Sequence, residues 1–288
     1  MTTTNQTGII SQTANKKKEL DPKVISKRKL YNFLEEHQEE INRALPATMD
    51  KGRFMRIAFT ALDKTPNLYL CSEASFYGAI ITCAQLGLEP NTPLGLAFLT
   101  PYNNTRKAKA LGVEKFYECQ FQIGYQGILA LAYRTQEYEP IYAHEVYEND
   151  FFDYELGLEP FLKHKPAKTN RGKLTHVYAC YHLKNGGKSF TVASKEDVLQ
   201  HAKKYSKTYD SKSDSFNGPW QSEFGEMAKK TACIQLLKYA PKSIELALAQ
   251  SSDNKVLEAS PNGITYVDEE TGEVKEMTEI QEGNGNNE

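Results

Sequence analysis

The chain has 288 residues, enough for one sizeable core or two small ones, and its 35 cations against 37 anions give a net charge of −2. Five widely spaced cysteines without a C-x-x-C pair argue against a disulfide frame or a cysteine zinc site, and no apolar run reaches the length of a membrane helix. The near-neutral total speaks against nucleic acid only until its distribution is read: residues 251–288 hold two cations and ten anions, so residues 1–250 carry a net +6.

Residues 1–20, rich in Thr, Asn, Gln and Lys and lacking an apolar signal segment, read as a disordered lead of a soluble, cytoplasmic protein. Asp21-Pro22 has the form of a cap and first helical position, and Leu30, Leu34, His37, Ile41 and Leu45 continue a helix that stops at Pro46. Asp50 caps a second helix ending near Pro66, with Phe54, Ile57, Ala58, Ala61 and Leu62 inward. Its other side carries a basic stripe of Arg53, Arg56, Thr60 and Lys64. A third helix runs from a Ser72 cap through Phe76, Ile80 and Cys83 to Gly87, the expected terminating glycine.

The hydrophobic period then changes toward two. Residues 94–102 and 116–123 read as strands flanking a loop, 103–114, that holds Arg106, Lys107 and Lys109. Gly124-Tyr125-Gln126-Gly127 opens a short helix, after which 140–147, 151–154 and 173–183 are strand-like. Asn185-Gly186-Gly187 turns the last of these back into 188–193. Ser194 and Asp197 have the form of a capping box that starts a helix leading to Lys203, Lys204 and Tyr205. Finally, Pro219 opens and Pro241 closes a long helix whose stripe of Phe224, Met227, Thr231, Ile234 and Leu237 faces a core. Helices, then strands, then helices make an α+β fold. The expected architecture is one core domain, 21–250, in which N-terminal helices and an antiparallel-rich sheet with hairpins meet C-terminal helices lining a basic groove. Residues 251–288 form a disordered acidic tail in this reading.

Cations interleaved with aromatics suit a strand of unpaired nucleic acid, since phosphates need charge and unstacked bases need flat faces. Lys203, Lys204, Tyr205, Lys207, Lys212, Phe216 and Trp220 supply that pattern. Arg53, Arg56, Lys229 and Lys230 are the first candidates for phosphate contacts, with Lys64 on the same stripe as the two arginines. Gln126, at a glycine-flanked turn into a helix, can offer donors to a phosphate. Trp220 is equally suited to anchoring a core. A solvated ion pair between Glu226 and Lys230 is the plain alternative for Lys230.

Other chemistries are less well supplied. Gly187-Lys188-Ser189 imitates the end of a P-loop, but His182 stands where a glycine is required and a strand follows instead of a helix. His176 and His182 share a strand face, expected to be exposed, and lie too far apart to share a metal. Glu145, Glu148, Asp150, Asp153, Glu155 and Glu159, with Lys163 and Lys165 nearby, could serve a magnesium-dependent nuclease. A scaffold without DNA binding is the third class, favoured only by the total charge.

Five stretches resemble the RecT family of phage and prophage recombinases: 48–66 with Arg53 and Arg56, the Q-L-G-L-E-P run ending at Pro90, 122–127, 176–179, and Asn217-Gly218-Pro219-Trp220 through Lys229-Lys230-Thr231. The resemblance spans residues 30–248. It implies an ATP-independent protein without cofactor or catalytic residues that coats single-stranded DNA as an oligomer and anneals it to a complementary strand. It also implies a 5′-to-3′ exonuclease partner and kinship with annealing proteins that form rings and helical filaments.

Overall fold

The computed structural model describes residues 22–206, 208–238, 240–241, 243–260, 263–267 and 274–276. The lead expected over 1–20, and Asp21, lie outside the described residues.

The N-terminal helices are α1 (Pro22–Glu36), α2 (Gln38–Ala44), α3 (Lys51–Lys64) and α4 (Glu73–Leu86). One helix was expected where α1 and α2 stand. The break is at His37, whose ring stacks on Phe33 at 4.2 Å and contacts Tyr77 at 4.9 Å, so an aromatic cluster holds the turn. Asp50 caps α3 by accepting the Arg53 N–H at 2.5 Å, and Gly87 ends α4 in the left-handed conformation, both as the sequence predicts.

Strand β1 (Ala97–Asn103), helix α5 (Thr105–Leu111), strand β2 (Tyr117–Ile123) and helix α6 (Tyr125–Arg134) follow. The segment expected as a loop contains α5, because the Asn104 side chain caps it and Gly112 closes it at φ 67°. Next come β3 (Tyr138–Tyr147), the hairpin β4 (Phe151–Glu155) and β5 (Phe161–Lys165), then β6 (Leu174–Leu183) and β7 (Lys188–Ser194). The capping box of Ser194 and Asp197 starts α7 (Lys195–Tyr205) with both reciprocal bonds made. A small hairpin of β8 (Tyr209–Asp210) and β9 (Ser215–Phe216) precedes α8 (Pro219–Ser222) and α9 (Phe224–Leu236).

The single helix expected after Pro219 is thus two. Glu223 leaves helical geometry at φ −132° and ψ 47°, and α9 restarts where Gly225 lies against the Glu145 carboxylate. A Cβ at position 225 would collide with Glu145 Oε1, so a larger residue there would push the Glu145 carboxylate away from the start of α9. The carboxylate also complements the positive end of α9.

Helix α10 (Ile244–Ser252) leads into β10 (Lys255–Ser260), β11 (Gly263–Val267) and β12 (Val274–Glu276). For residues 251–260, 263–267 and 274–276 the expectation of a disordered tail is corrected; the rest of that expected tail lies outside the described residues. Strand β10 pairs antiparallel with β2, and Leu257 is fully buried. The acidic composition hid a strand in which Leu257 is the buried side chain among residues 255–258.

One sheet therefore runs β1-β2-β10-β11-β12 and another β3-β6-β7, all pairs antiparallel. The larger core lies between the N-terminal helices, α6, α10 and one face of β1 and β2, where Phe54, Phe76 and Phe121 are fully buried. A second packs α7 and α9 on the β3-β6-β7 sheet around Val177, Val198 and Ala228. A third, small cluster lies on the other face of that sheet, under the β4–β5 hairpin. His176 is there, 5.7 Å from Phe152, so it is half-buried instead of facing solvent, while His182 is exposed.

Candidate nucleic-acid interface

Alternation along β1 and β2 decides which side chains face the core and which face outward. Leu99, Cys119 and Phe121 are buried in the larger core. Thr100 and Tyr102 from β1, with Gln120 and Gln122 from β2, line a cleft of about 240 Å³ on the opposite face. The facing wall comes from His201, Ala202 and Tyr205 of α7 and from Met227, Lys230, Thr231 and Ile234 of α9, at helical spacing. Pro219 and Trp220 close one side, and Asp253 and Asn254 another.

The floor is polar but uncharged. Thr100 Oγ1 donates to Gln122 Oε1 at 3.3 Å, Gln122 Nε2 donates to Asn254 Oδ1 at 2.8 Å, and Gln120 Nε2 donates to the Asn254 carbonyl. The charges lining the cleft among the described residues are paired: Lys230 Nζ lies 3.0 Å from Asp253 Oδ2, with both side chains about nine-tenths buried. Asp253 Oδ1 also accepts the Ile123 N–H at 2.9 Å. Lys230 thus anchors the entry to β10 and is not paired with Glu226. Glu226 pairs instead with Lys229 at 2.6 Å.

Adjacent helical residues point about 100° apart, and Lys229 accordingly lies toward β3, where His144 is held below the ordinary histidine range first by burial, then by the charges of His164 and Lys229. The two lysines do not share a groove. Burial likewise raises the Cys233 thiol, on the same helix, to about 12.

Tyr205 stands at the lip of the cleft, 57% exposed, with its ring 4.7 Å from His201 and Lys204 Nζ 5.1 Å from its centre. Trp220 is 9% exposed and belongs to the second core while also lining the cleft. It continues a file of rings, Tyr209, Phe216, Trp220 and Phe224, at centroid spacings of 5.1, 5.9 and 6.0 Å. Lys203 is held by Asp214 at 2.6 Å, Lys204 is exposed next to Tyr205, and Lys212 is exposed in the turn of the β8–β9 hairpin. Lys207 lies outside the described residues.

The α3 stripe is elsewhere. Arg53 makes a two-pronged bond to Glu89, 2.6 Å from Nε and 3.1 Å from Nη2, and Arg56 and Lys64 are exposed beyond it. None of the three lines the cleft. Glu89 leads into Pro90, which bridges to Ala97 at the start of β1, and the Gly124 N–H donates to the Leu96 carbonyl at 2.9 Å. Gly124 packs so tightly on the Gly95 backbone that no Cβ fits, which places exposed Gln126 at this same end of β1. Arg53 and Gln126 therefore flank one segment, 89–97, although 73 positions separate them in sequence.

Arg134 is a residue that sequence reasoning missed. It caps α4, donating to the carbonyls of Leu86 at 2.5 Å and Gly87 at 2.7 Å. No local signal marks a partner 47 residues away.

The acidic run does not converge. Glu145 accepts the Tyr147 hydroxyl, Glu148 accepts the Lys173 N–H, and Asp150 is consumed by Arg171, His164 and two backbone N–H groups. Asp153 stands opposite Lys163 in the β4–β5 register, and no cluster of three or more potential metal ligands occurs among the described residues.

A family model for the RecT family matches residues 52–276. The chain is 40% identical to Protein RecT of Escherichia coli K12 over 218 residues, covering 76% of this chain and 77% of that one. It is 25% identical to the uncharacterized protein YqaK of Bacillus subtilis 168 over 198 residues, covering 68% and 60% of the two chains. The match runs past residue 248, where the resemblance was expected to end, and takes in strands β10 to β12.

Proposed function

The chain belongs to the RecT family, and so to the single-strand annealing recombination proteins, and from that premise we propose how its own residues hold DNA. The observation that carries the reading is the cleft. Its neutral amide floor and its aromatic lip at Tyr205 are indifferent to base sequence; exposed Lys204 adjoins Tyr205, and exposed Lys212 lies in the β8–β9 hairpin that follows. Phosphates are neutralised by these cations and by the Arg56 and Lys64 stripe, bases lie against Tyr205 and the polar floor, and a complementary strand pairs with what is displayed.

Nothing in this scheme needs bond cleavage, ATP or a metal; binding and alignment are the whole activity. The protein coats the strand as a homo-oligomer, works in the cytoplasm, and receives its single strand from a 5′-to-3′ exonuclease. Trp220, Phe216 and Phe224 position the cleft wall from the core side.

Mixing complementary oligonucleotides with the protein and no nucleotide cofactor tests the reading: duplex must form faster than in buffer alone. Tyr205→Ala is expected to weaken single-strand binding by about 1–3 kcal/mol, the worth of one stacked base, with Tyr205→Phe near native in fluorescence anisotropy. Unchanged affinity for the alanine variant removes Tyr205 from the interface. Lys204→Ala combined with Lys212→Ala is expected to reduce the slope of log K against log salt by roughly 1.4, about 0.7 for each lost phosphate contact. A salt titration of both proteins measures it, and an unchanged slope assigns the phosphates to other cations.

A further inference from the structure

The β4–β5 hairpin is an arm with two unlike halves. At its root Phe152 stacks on Tyr178 at 5.8 Å and His164 meets the same ring edge-on at 5.5 Å. Beyond the Tyr154–Leu162 register pair the arm runs out into solvent. There Leu156 is 66% exposed, Leu158 fully so, and Phe161 42%. The root balances Asp153 against Lys163, whereas residues 155–161 carry the carboxylates Glu155 and Glu159 and no cation. A lone two-stranded hairpin is only marginally stable in water, and bare leucines at its end mark a contact surface.

The same chain carries the complementary surface. Around the end of α5, exposed Leu111 and Val113 lie in a stretch that carries exposed Arg106, Lys109 and Lys115 against exposed Glu114, while the nearby carboxylates Glu118 and Glu258 are taken up by Lys107. Glu155, Glu159, Arg106 and Lys109 make no ion pair among the described residues, so both rims are open to a partner. A polyanion would be repelled by the arm's tip, which argues for protein and against DNA as its occupant.

We propose that the acidic, leucine-bearing tip of the β4–β5 arm seats on the basic, apolar end of α5 in a second copy of this chain. The leucines supply apolar contact, and the charge rims set orientation and partner choice. Because tip and seat are different surfaces, the contact is head-to-tail and propagates to a ring or an open filament. This deepens the proposed coating of a strand and rests on that reading.

The test uses the full chain, alone and with a long oligothymidine, in sedimentation velocity. Leu156→Ser with Leu158→Ser is expected to shift the mass toward monomer. So are Glu155→Lys with Glu159→Lys, and Arg106→Glu with Lys109→Glu. An equimolar mixture of the two charge-reversed proteins must regain assembly, because each tip then meets an opposite seat; circular dichroism checks that each variant is folded. A native chain that is monomeric in both conditions overturns the proposal. Unchanged mass in the variants overturns it too, as does failure of the mixture to reassemble or a loss of DNA affinity at the tip with mass unaltered. Failure of the annealing reading is separately visible as absence of strand binding by the native protein.

Discussion

Asp150→Ala is expected to destabilise the folded chain by about 3–5 kcal/mol at neutral pH, the cost of removing one member of a buried charge network. The Asp150 side chain is fully buried, with Arg171 Nη2 at 2.6 Å and His164 Nε2 at 3.1 Å from Oδ2. It also accepts the N–H groups of Tyr147 at 3.0 Å and Ala167 at 2.8 Å. Arg171 is the largest of the influences holding this carboxyl far below the ordinary carboxylate range of 3.8; the two backbone donors and His164 add to it, and burial opposes it. A depressed folded value means that the stabilisation is fully present above the unfolded value and disappears only as pH falls through the folded one. The gap between native and variant in urea melts should therefore be flat from about pH 8 to 5 and shrink only below 3.8. Equal stability at pH 7 would refute the role. A magnesium ligand at this position would instead have given a variant that folds normally and lacks only hydrolysis.

Features that depend on neighbours in sequence were legible; features that depend on distant partners were not. The Ser194–Asp197 box, the Asp50 cap and the Gly87 terminus are local hydrogen-bonding patterns, and all three stand where the residues place them. The strands β1 and β2 followed from a period of two. Lys230 shows the limit. Its i,i+4 spacing from Glu226 suggested a solvated pair, and its charge suggested a phosphate, yet its partner lies 23 residues on, in a segment whose composition suggested no structure. Asp150 and Arg171, 21 residues apart, are the same case. Helix α5 was missed for another reason: its lysines and arginine mark solvent exposure, which helix and loop share, and only Asn104 and Gly112 at its ends distinguish them. Of the candidate contacts, Tyr205, Trp220 and Lys230 converge on one cleft, whereas Arg53, Arg56 and Lys64 do not line it.

Lys230→Met is the second large effect, and it separates a structural lysine from a phosphate ligand. With Lys230 and Asp253 only 9% and 8% exposed, removal of the cation leaves a buried carboxylate and should destabilise the fold by about 3–5 kcal/mol. Lys230→Met combined with Asp253→Leu should recover part of this. Recovery is incomplete because the Ile123 N–H loses its acceptor, at about 1–3 kcal/mol. The salt slope of strand binding should not move in either variant. A slope smaller by about 0.7 with stability unaltered would return Lys230 to the phosphates. The pair also dictates how the acidic C-terminal residues must be tested for competition with DNA. A chain ending at Gln250 removes Asp253 and empties the Leu257 site along with the acid, so it unbalances Lys230 and any change in binding is confounded by a weakened cleft wall. A chain ending at Glu276 keeps β10 to β12 and deletes residues 277–288, whose charged side chains are Glu279, Glu282 and Glu288. If those carboxylates compete for the basic surface, that shorter chain binds single strands more tightly at low salt, and the gain fades as the Debye length falls below roughly 10 Å near 0.1 M. Equal affinity at every salt concentration assigns them no part in DNA binding.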